Sequence, residues 1–167
     1  MTLATALALC GDTNRAQKLI EELAEDFPLD TLLNNVFLPV ARAIIETQHN
    51  NPTRAITLLE AARPYELGYW PGTGSYLPIY TRAQAYLQAR EGAKAAAEYQ
   101  KILDHRGIAP TSLLYTLARL GLGRAYALQG ETTKARAAYQ DFLALWKDAD
   151  PDIPILKQAR EEYEKLR

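Results

Sequence analysis

The sequence predicts an all-α solenoid, a stack of four helical hairpins closed by a final helix. Of 167 residues, 27 are Ala and 25 are Leu but only 2 are Val (Val36 and Val40), a mixture that favours helix and leaves few β-branched residues for strands. Small residues recur at a fixed period, which implies stacked units that bury one another's apolar faces. Helix-starting residues fall between the recurring positions.

The period is read directly from the residues. Small side chains fall at Ala4, Ala43, Ala83 and Gly123, and again at Ala16, Ala55, Ala95 and Ala135, with steps of 39, 40 and 40 in both series. Large ones follow in register at Ile20, Leu59, Tyr99 and Tyr139. Leu23, Ala62, Ile102 and Phe142 keep the same steps, and Leu7, Tyr86 and Tyr126 fill one place in three of the four units. Two antiparallel helices approach closely only where neither carries a large side chain, so the paired small residues, 12 apart, mark the crossing of a hairpin.

Helices are expected over about 1–10, 13–27, 30–48, 52–63, 76–90, 93–106, 112–129, 132–147 and 153–166. Gly11-Asp12, Asn51-Pro52 and Gly130-Glu131 sit in the turns; Asp12 and Asn51 are good N-caps, and Pro52 suits the first helical position. Pro39 falls inside the third helix and should kink or divide it. The last helix is expected to start at an Asp152 cap and, with Gln158, Arg160, Glu161, Glu162, Glu164 and Lys165, to form the polar end that a solenoid needs. The chain reads as a single domain, 1–167, with repeats at about 1–28, 29–64, 76–107 and 111–147 and a capping helix at 152–167.

Leu122-Gly123, Tyr126, Ala135 and Tyr139 in the fourth unit, and Ala83, Tyr86, Ala95 and Tyr99 in the third, resemble the tetratricopeptide repeat. The first unit keeps Ala16, Ile20, Leu23 and a late Pro28; the second departs, with Glu46 where the aromatic belongs. A period of 40 exceeds the usual 34 and overlaps the HEAT and armadillo range, but the 12-residue spacing favours the tetratricopeptide class. Phe142 to Arg167, with Ile102 to Gly107, also resembles the C-terminal tetratricopeptide region of bacterial signalling proteins, where it follows a Ser/Thr kinase or winged-helix domain. That resemblance implies a parent architecture and no activity in this chain.

Charge and composition exclude several function classes. Lys+Arg 19 against Asp+Glu 20 leave a net charge of -1, which provides no field for a polyanion, so nucleic acid is not expected as a partner. The opening MTLATALALC lacks a preceding basic residue and has Leu9 where a lipoprotein signal needs a small one; it reads as an amphipathic helix of a chain cut from something longer. No window is apolar enough for a membrane span, and one Cys suits a reducing compartment, so the expected location is cytoplasmic.

Catalytic and metal chemistry finds no support in the residues, and neither an enzyme activity nor a cofactor is expected. His49 and His105 fall at helix ends and read as caps, with Gly107 expected in the left-handed conformation. Cys10 has no Cys or His partner and reads as a small buried residue. The carboxylates Asp148, Asp150 and Asp152 alternate like those of a calcium loop, but Ile153 and Ala159 stand where it needs Gly and Glu. Pro71 to Ser75 is glycine-rich without the Lys of a phosphate loop. It belongs to a long aromatic connection, residues 64–76, in which Tyr69 and Trp70 are loop candidates either for ligand contact or for covering the core.

The tetratricopeptide resemblance implies a concave groove lined by the first helices of the hairpins. By register its residues are Phe37, Val40 and Ile44 of repeat two, Leu77, Tyr80, Thr81, Gln84 and Gln88 of repeat three, and Leu117, Leu120, Gly121 and Arg124 of repeat four. The Lys and Asn of a carboxylate clamp are absent from the matching places. The expected partner is therefore a protein or peptide, an amphipathic helix or another segment of the parent, in a non-catalytic interaction module. The competing expectation is a structural domain that self-associates, giving a homodimer.

Overall fold

The computed structural model describes residues 3–68 and 76–166. The α-helices are α1 (Leu3–Leu9), α2 (Thr13–Asp26), α3 (Leu38–Gln48), α4 (Pro52–Leu58), α5 (Leu77–Gln88), α6 (Gly92–Asp104), α7 (Leu113–Leu128), α8 (Thr132–Leu145) and α9 (Pro154–Glu164), and no strand occurs among the described residues. Each odd helix up to α7 pairs with the even helix that follows it. The odd helices also pack on one another in series, α1 on α3, α3 on α5 and α5 on α7, while α9 packs on α8. The protein is thus an all-α repeat solenoid with an inner layer of odd helices and an outer layer of even ones.

The small residues do what their spacing predicts. Ala4, Ala43 and Ala83 on the inner helices and Ala16, Ala55, Ala95 and Ala135 on the outer ones have no exposed surface. Gly123 completes the first series, and a Cβ there would lie 2.9 Å from the Tyr139 ring, which fills the space the glycine leaves. Ile20, Leu59, Tyr99, Ile102 and Phe142 are likewise fully buried.

Each hairpin turns through a left-handed residue, Gly11 (φ 83°), Asn50 (60°), Arg90 (60°) and Gly130 (75°), in the same 39, 40, 40 register. The next residue donates its N–H back across the turn in every case: Asp12 to Leu7 O (3.0 Å), Asn51 to Glu46 O (2.8 Å), Glu91 to Tyr86 O (2.9 Å) and Glu131 to Tyr126 O (3.0 Å). This six-to-one bond satisfies a carbonyl that the helix end would otherwise leave open.

Several local expectations are corrected. Asp12 caps α2 by accepting from the Arg15 N–H at 3.3 Å, but the Asn51 side chain makes no cap bond and donates instead to Glu46 Oε2 at 3.0 Å. Gly107 is not left-handed; it lies in the 3₁₀ turn Arg106–Ile108 that follows the His105 C-cap. Asp152 does not cap α9, which starts at Pro154 after Ile153; its carboxylate pairs with Lys157 Nζ at 2.8 Å. Cys10 is exposed rather than buried. The division expected at Pro39 takes the form of a change of helix type: Pro39 stands in the first turn of α3, directly after the π-helical Leu33–Phe37. Proline lacks the N–H that an α-turn would use, and the wider turn accommodates its ring.

The connection from α4 to α5 is anchored by buried charge. Arg82 of α5 is fully buried, and Glu66 and Glu98 are 4% and 7% exposed. Arg82 Nη2 bonds Glu66 Oε2 at 2.6 Å and Glu98 Oε2 at 2.8 Å, while its Nε bonds Glu98 Oε1 at 3.0 Å. Lys101 Nζ holds Glu66 Oε1 at 2.8 Å, and Arg63 Nη1 reaches Glu98 Oε1 at 3.4 Å. Burial pushes the Glu98 carboxyl up, but the hydrogen bonds and charge of Arg82, with Lys101 and Arg63, hold it below its ordinary value. Around this cluster Tyr65 packs half-buried against Val36 and Ala62. Tyr76 is fully buried; its hydroxyl donates to His105 O at 2.7 Å and accepts from the Ala109 N–H at 3.2 Å.

Candidate peptide-binding groove

The inner helices enclose a groove of about 740 Å³. Leu9 comes from α1, Ile44, Thr47 and Gln48 from α3, Leu77, Tyr80, Thr81, Gln84, Leu87 and Gln88 from α5, and Leu114 and Leu117 from α7. Every lining residue belongs to an odd helix. None is Asp, Glu, Lys, Arg or His.

Repeated polar contacts tie the walls together. Gln48 Nε2 donates to Ala8 O at 2.6 Å, and Gln88, 40 residues on, donates to Thr47 O at 2.9 Å and Asn50 Oδ1 at 3.1 Å. Each bond joins an inner helix to the end of the one before it, so the groove's curvature is fixed by side-chain bonds as well as by packing. Gln84 Nε2 donates to Tyr80 Oη at 3.0 Å within α5, and burial raises the Tyr80 pKa.

Of the residues expected to line the groove, the structure brings together Ile44, Leu77, Tyr80, Thr81, Gln84, Gln88 and Leu117. Five others belong elsewhere. Val40 and Leu120 are 2% and 1% exposed and sit in the core. Phe37, in the π-helical segment, packs half-buried against core residues of hairpin two. Arg124 is not a free cation, since its Nε and Nη2 bond both oxygens of Glu162 on α9 at 2.8 and 3.0 Å. Burial works against its charge, but the Glu162 carboxylate raises its pKa above the ordinary arginine value. Gly121 lies under the Tyr99 ring. Tyr69 and Trp70 lie outside the described residues.

Register alone missed Leu9, Thr47, Gln48, Leu87 and Leu114. α7 begins at Leu113, 36 residues after the start of α5, so it extends a turn further back than a step of 40 implies and presents Leu114. The shared spacing of Gln48 and Gln88 was a usable signal for one of these places.

Fold and groove together define a helical-hairpin repeat protein whose inner helices share one uncharged, largely apolar surface. The family model for the tetratricopeptide repeat matches residues 80–152, from the inner helix of the third hairpin to the start of the capping segment. Over those residues the chain carries tetratricopeptide repeats. No curated protein and no solved structure matches it. Such repeats generally mediate protein–protein interaction and are typically non-catalytic. No helix among the described residues is long and apolar enough to cross a membrane.

Proposed function

We propose that this chain is a non-catalytic interaction module that holds an apolar or amphipathic helical segment of a partner protein in the groove of its inner helices. The observation that carries the reading is the lining: twelve residues from four inner helices, mostly apolar and without one ionised side chain. Apolar anchors at helical spacing on a partner match such a surface, whereas a terminal carboxylate or a phosphorylated peptide would find no cation there. The module is that of a signalling protein, acting as scaffold or regulator; the support for this context is the likeness of Phe142 to Arg167 to regions that follow kinase or winged-helix domains.

Selection of a displayed library of helical peptides against the chain tests this directly. Peptides with apolar residues at i, i+3, i+4 and i+7 are expected to be enriched. Their affinity should fall at least about tenfold when Leu9→Glu and Gln84→Glu place two charges in the groove. Leu9 is 52% exposed, so the first change costs the fold little. Enrichment of charged sequences, or binding indifferent to these changes, would overturn the reading.

A second reading, self-association, is favoured by a different surface. Leu3, Phe27, Leu29 and Leu32 stand exposed around the open end of the first hairpin, Leu29 at 94%. Sedimentation equilibrium over a range of concentrations should detect a dimer that Leu29→Glu abolishes if this face pairs copies of the chain.

A further inference from the structure

We propose that the cleft between the outer helices α6 and α8 is a second docking site, which takes an acidic side chain, Glu or Asp, from the surface of a partner protein. It is separate from the inner groove. The cleft has a volume of about 340 Å³; Leu103 of α6 with Ala138 and Asp141 of α8 forms its sides, and Tyr115, Arg119 and Leu122 of α7 form its floor.

One repeat earlier the protein shows what such a cleft holds. Arg63, Arg82, Glu98 and Lys101 stand 40 residues before Leu103, Leu122, Ala138 and Asp141, and they make up the cluster that holds Glu66. There the connecting chain turns inward, and Glu66, 4% exposed, accepts from Arg82 Nη2 and Lys101 Nζ. The later cleft holds no such segment among the described residues. By the same step of 40 the counterpart of Glu66 is Arg106, which lies exposed in the turn after α6. Leu103 in place of Arg63 and Ala138 in place of Glu98 leave the volume open.

The open cleft is equipped for an anion. Arg119 donates from Nη1 to Asp141 Oδ2 at 3.1 Å and from Nη2 to the Tyr115 hydroxyl at 3.3 Å. Each of these nitrogens carries two N–H groups, so one on each is left for a ligand. The Nε–H is covered by protein and unbonded; a ligand meets the Nη edge, on a side chain that is 26% exposed. Arg106 adds a second cation. Its guanidinium lies 5.6 Å from the centroid of the Tyr115 ring, and that of Arg119 lies at 5.5 Å.

The site is one anion short. Asp141 answers Arg119, and the exposed Asp104 accepts from Gln100 at 2.8 Å, but Arg106 pairs with no carboxylate among the described residues. A carboxylate beside the Tyr115 ring balances Arg106 and takes a free Nη hydrogen of Arg119, much as Glu66 and Glu98 share Arg82 in the cleft before. Because the cleft is open to water, the desolvation cost is smaller than in a closed core.

The probe is the protein's own example: a blocked peptide of residues 64–68, Pro-Tyr-Glu-Leu-Gly, and the same peptide with Gln for Glu. Each is titrated into the isotope-labelled chain, and backbone amide shifts are followed by NMR. Shifts should saturate at Leu103, Arg119 and Asp141, and the Glu peptide should bind about 3- to 10-fold more tightly than the Gln peptide. Arg106 is exposed, so Arg106→Gln costs the fold little, and it should remove most of that preference. Ala138→Glu supplies the carboxylate from within, where the preceding hairpin has Glu98, and should abolish binding of the Glu peptide. Equal binding of the two peptides, a preference that Arg106→Gln leaves intact, or undiminished binding to Ala138→Glu overturns the proposal. So does the absence of saturable shifts in the cleft. Shifts confined to Ile44, Tyr80 and Leu117 overturn it as well, while leaving the groove reading standing.

Discussion

Arg90 is held at φ 60°, a conformation in which a side chain crowds its own carbonyl. It occupies the left-handed place that Gly11 and Gly130 fill in the first and fourth hairpins. Replacing it with glycine should stabilise the protein by about 0.5–1 kcal/mol, the relieved strain being partly offset by the freer unfolded chain. Thermal unfolding would show a rise of roughly 2–4 °C; no rise would mean that the turn holds Arg90 without strain. Asn50, at the same place in hairpin two, is a different case because its Oδ1 accepts from Gln88 in the groove. Gly121 carries the opposite expectation: Gly121→Ala forces the Tyr99 ring aside and should cost about 1–3 kcal/mol in chemical denaturation. The two turn glycines were legible in the sequence because glycine is the usual left-handed residue. Asn50 carried a weaker signal, since Asn enters that conformation more readily than other side chains, but nothing in the chemistry of Arg90 announces it, and only the 39, 40, 40 register brings it out.

Between elements, the contrast between what the sequence displayed and what it hid is sharper. The inner and outer helices were visible from the small residues, because close approach demands a small side chain at a definite position, and Ala43, Ala55, Ala83 and Ala95 carry that demand openly. The ionic cluster joining the 64–68 segment to α5 and α6 left no such trace: Glu66, Arg82 and Glu98 are 16 residues apart, a spacing that belongs to no helix or turn. Reading residues 64–76 as a long aromatic connection drew attention to its rings and passed over the charge of Glu66. Arg82→Met should destabilise the protein by about 3–5 kcal/mol, because it leaves Glu66 and Glu98 in a low-dielectric site with only Lys101 and Arg63 to answer them. The same cluster sets a pH dependence. A carboxyl whose folded pKa is depressed adds stability that is complete above its ordinary value, 4.5 for Glu98, and is lost as pH falls through the folded value. Urea unfolding should therefore show stability falling below about pH 4.5, with a shallower fall in Glu98→Gln; equal slopes in the two proteins would remove Glu98 as the cause.

Across the whole molecule, the solenoid makes stability a matter of neighbours, each hairpin being held by the one before and the one after. The last hairpin has α9 in place of a fifth. Leu156 and Ala159 of α9 are fully buried on Phe142, Tyr139 and Leu120. Glu162 completes the closure by accepting from Arg124 of α7 and, at 2.8 Å, from the Tyr139 hydroxyl of α8. The polar character of α9 was apparent from its run of charged residues; that one of them reaches back to the inner layer was not, because Arg124 lay at a groove position by register and its partner is 38 residues away. Glu162→Ala removes the acceptor of both groups and should cost about 1–3 kcal/mol. In a protein built of nearest-neighbour contacts that loss stays local. Amide hydrogen exchange should speed up in α8 and α9 and remain unchanged in α1 to α4, where nothing touches the broken contact. The groove walls of α1, α3 and α5 would then keep their form, and an apolar peptide held there should bind the variant as it binds the unaltered chain. Acceleration spread evenly over all the helices would show instead that the four hairpins unfold as a single cooperative block, and that α9 secures the entire groove.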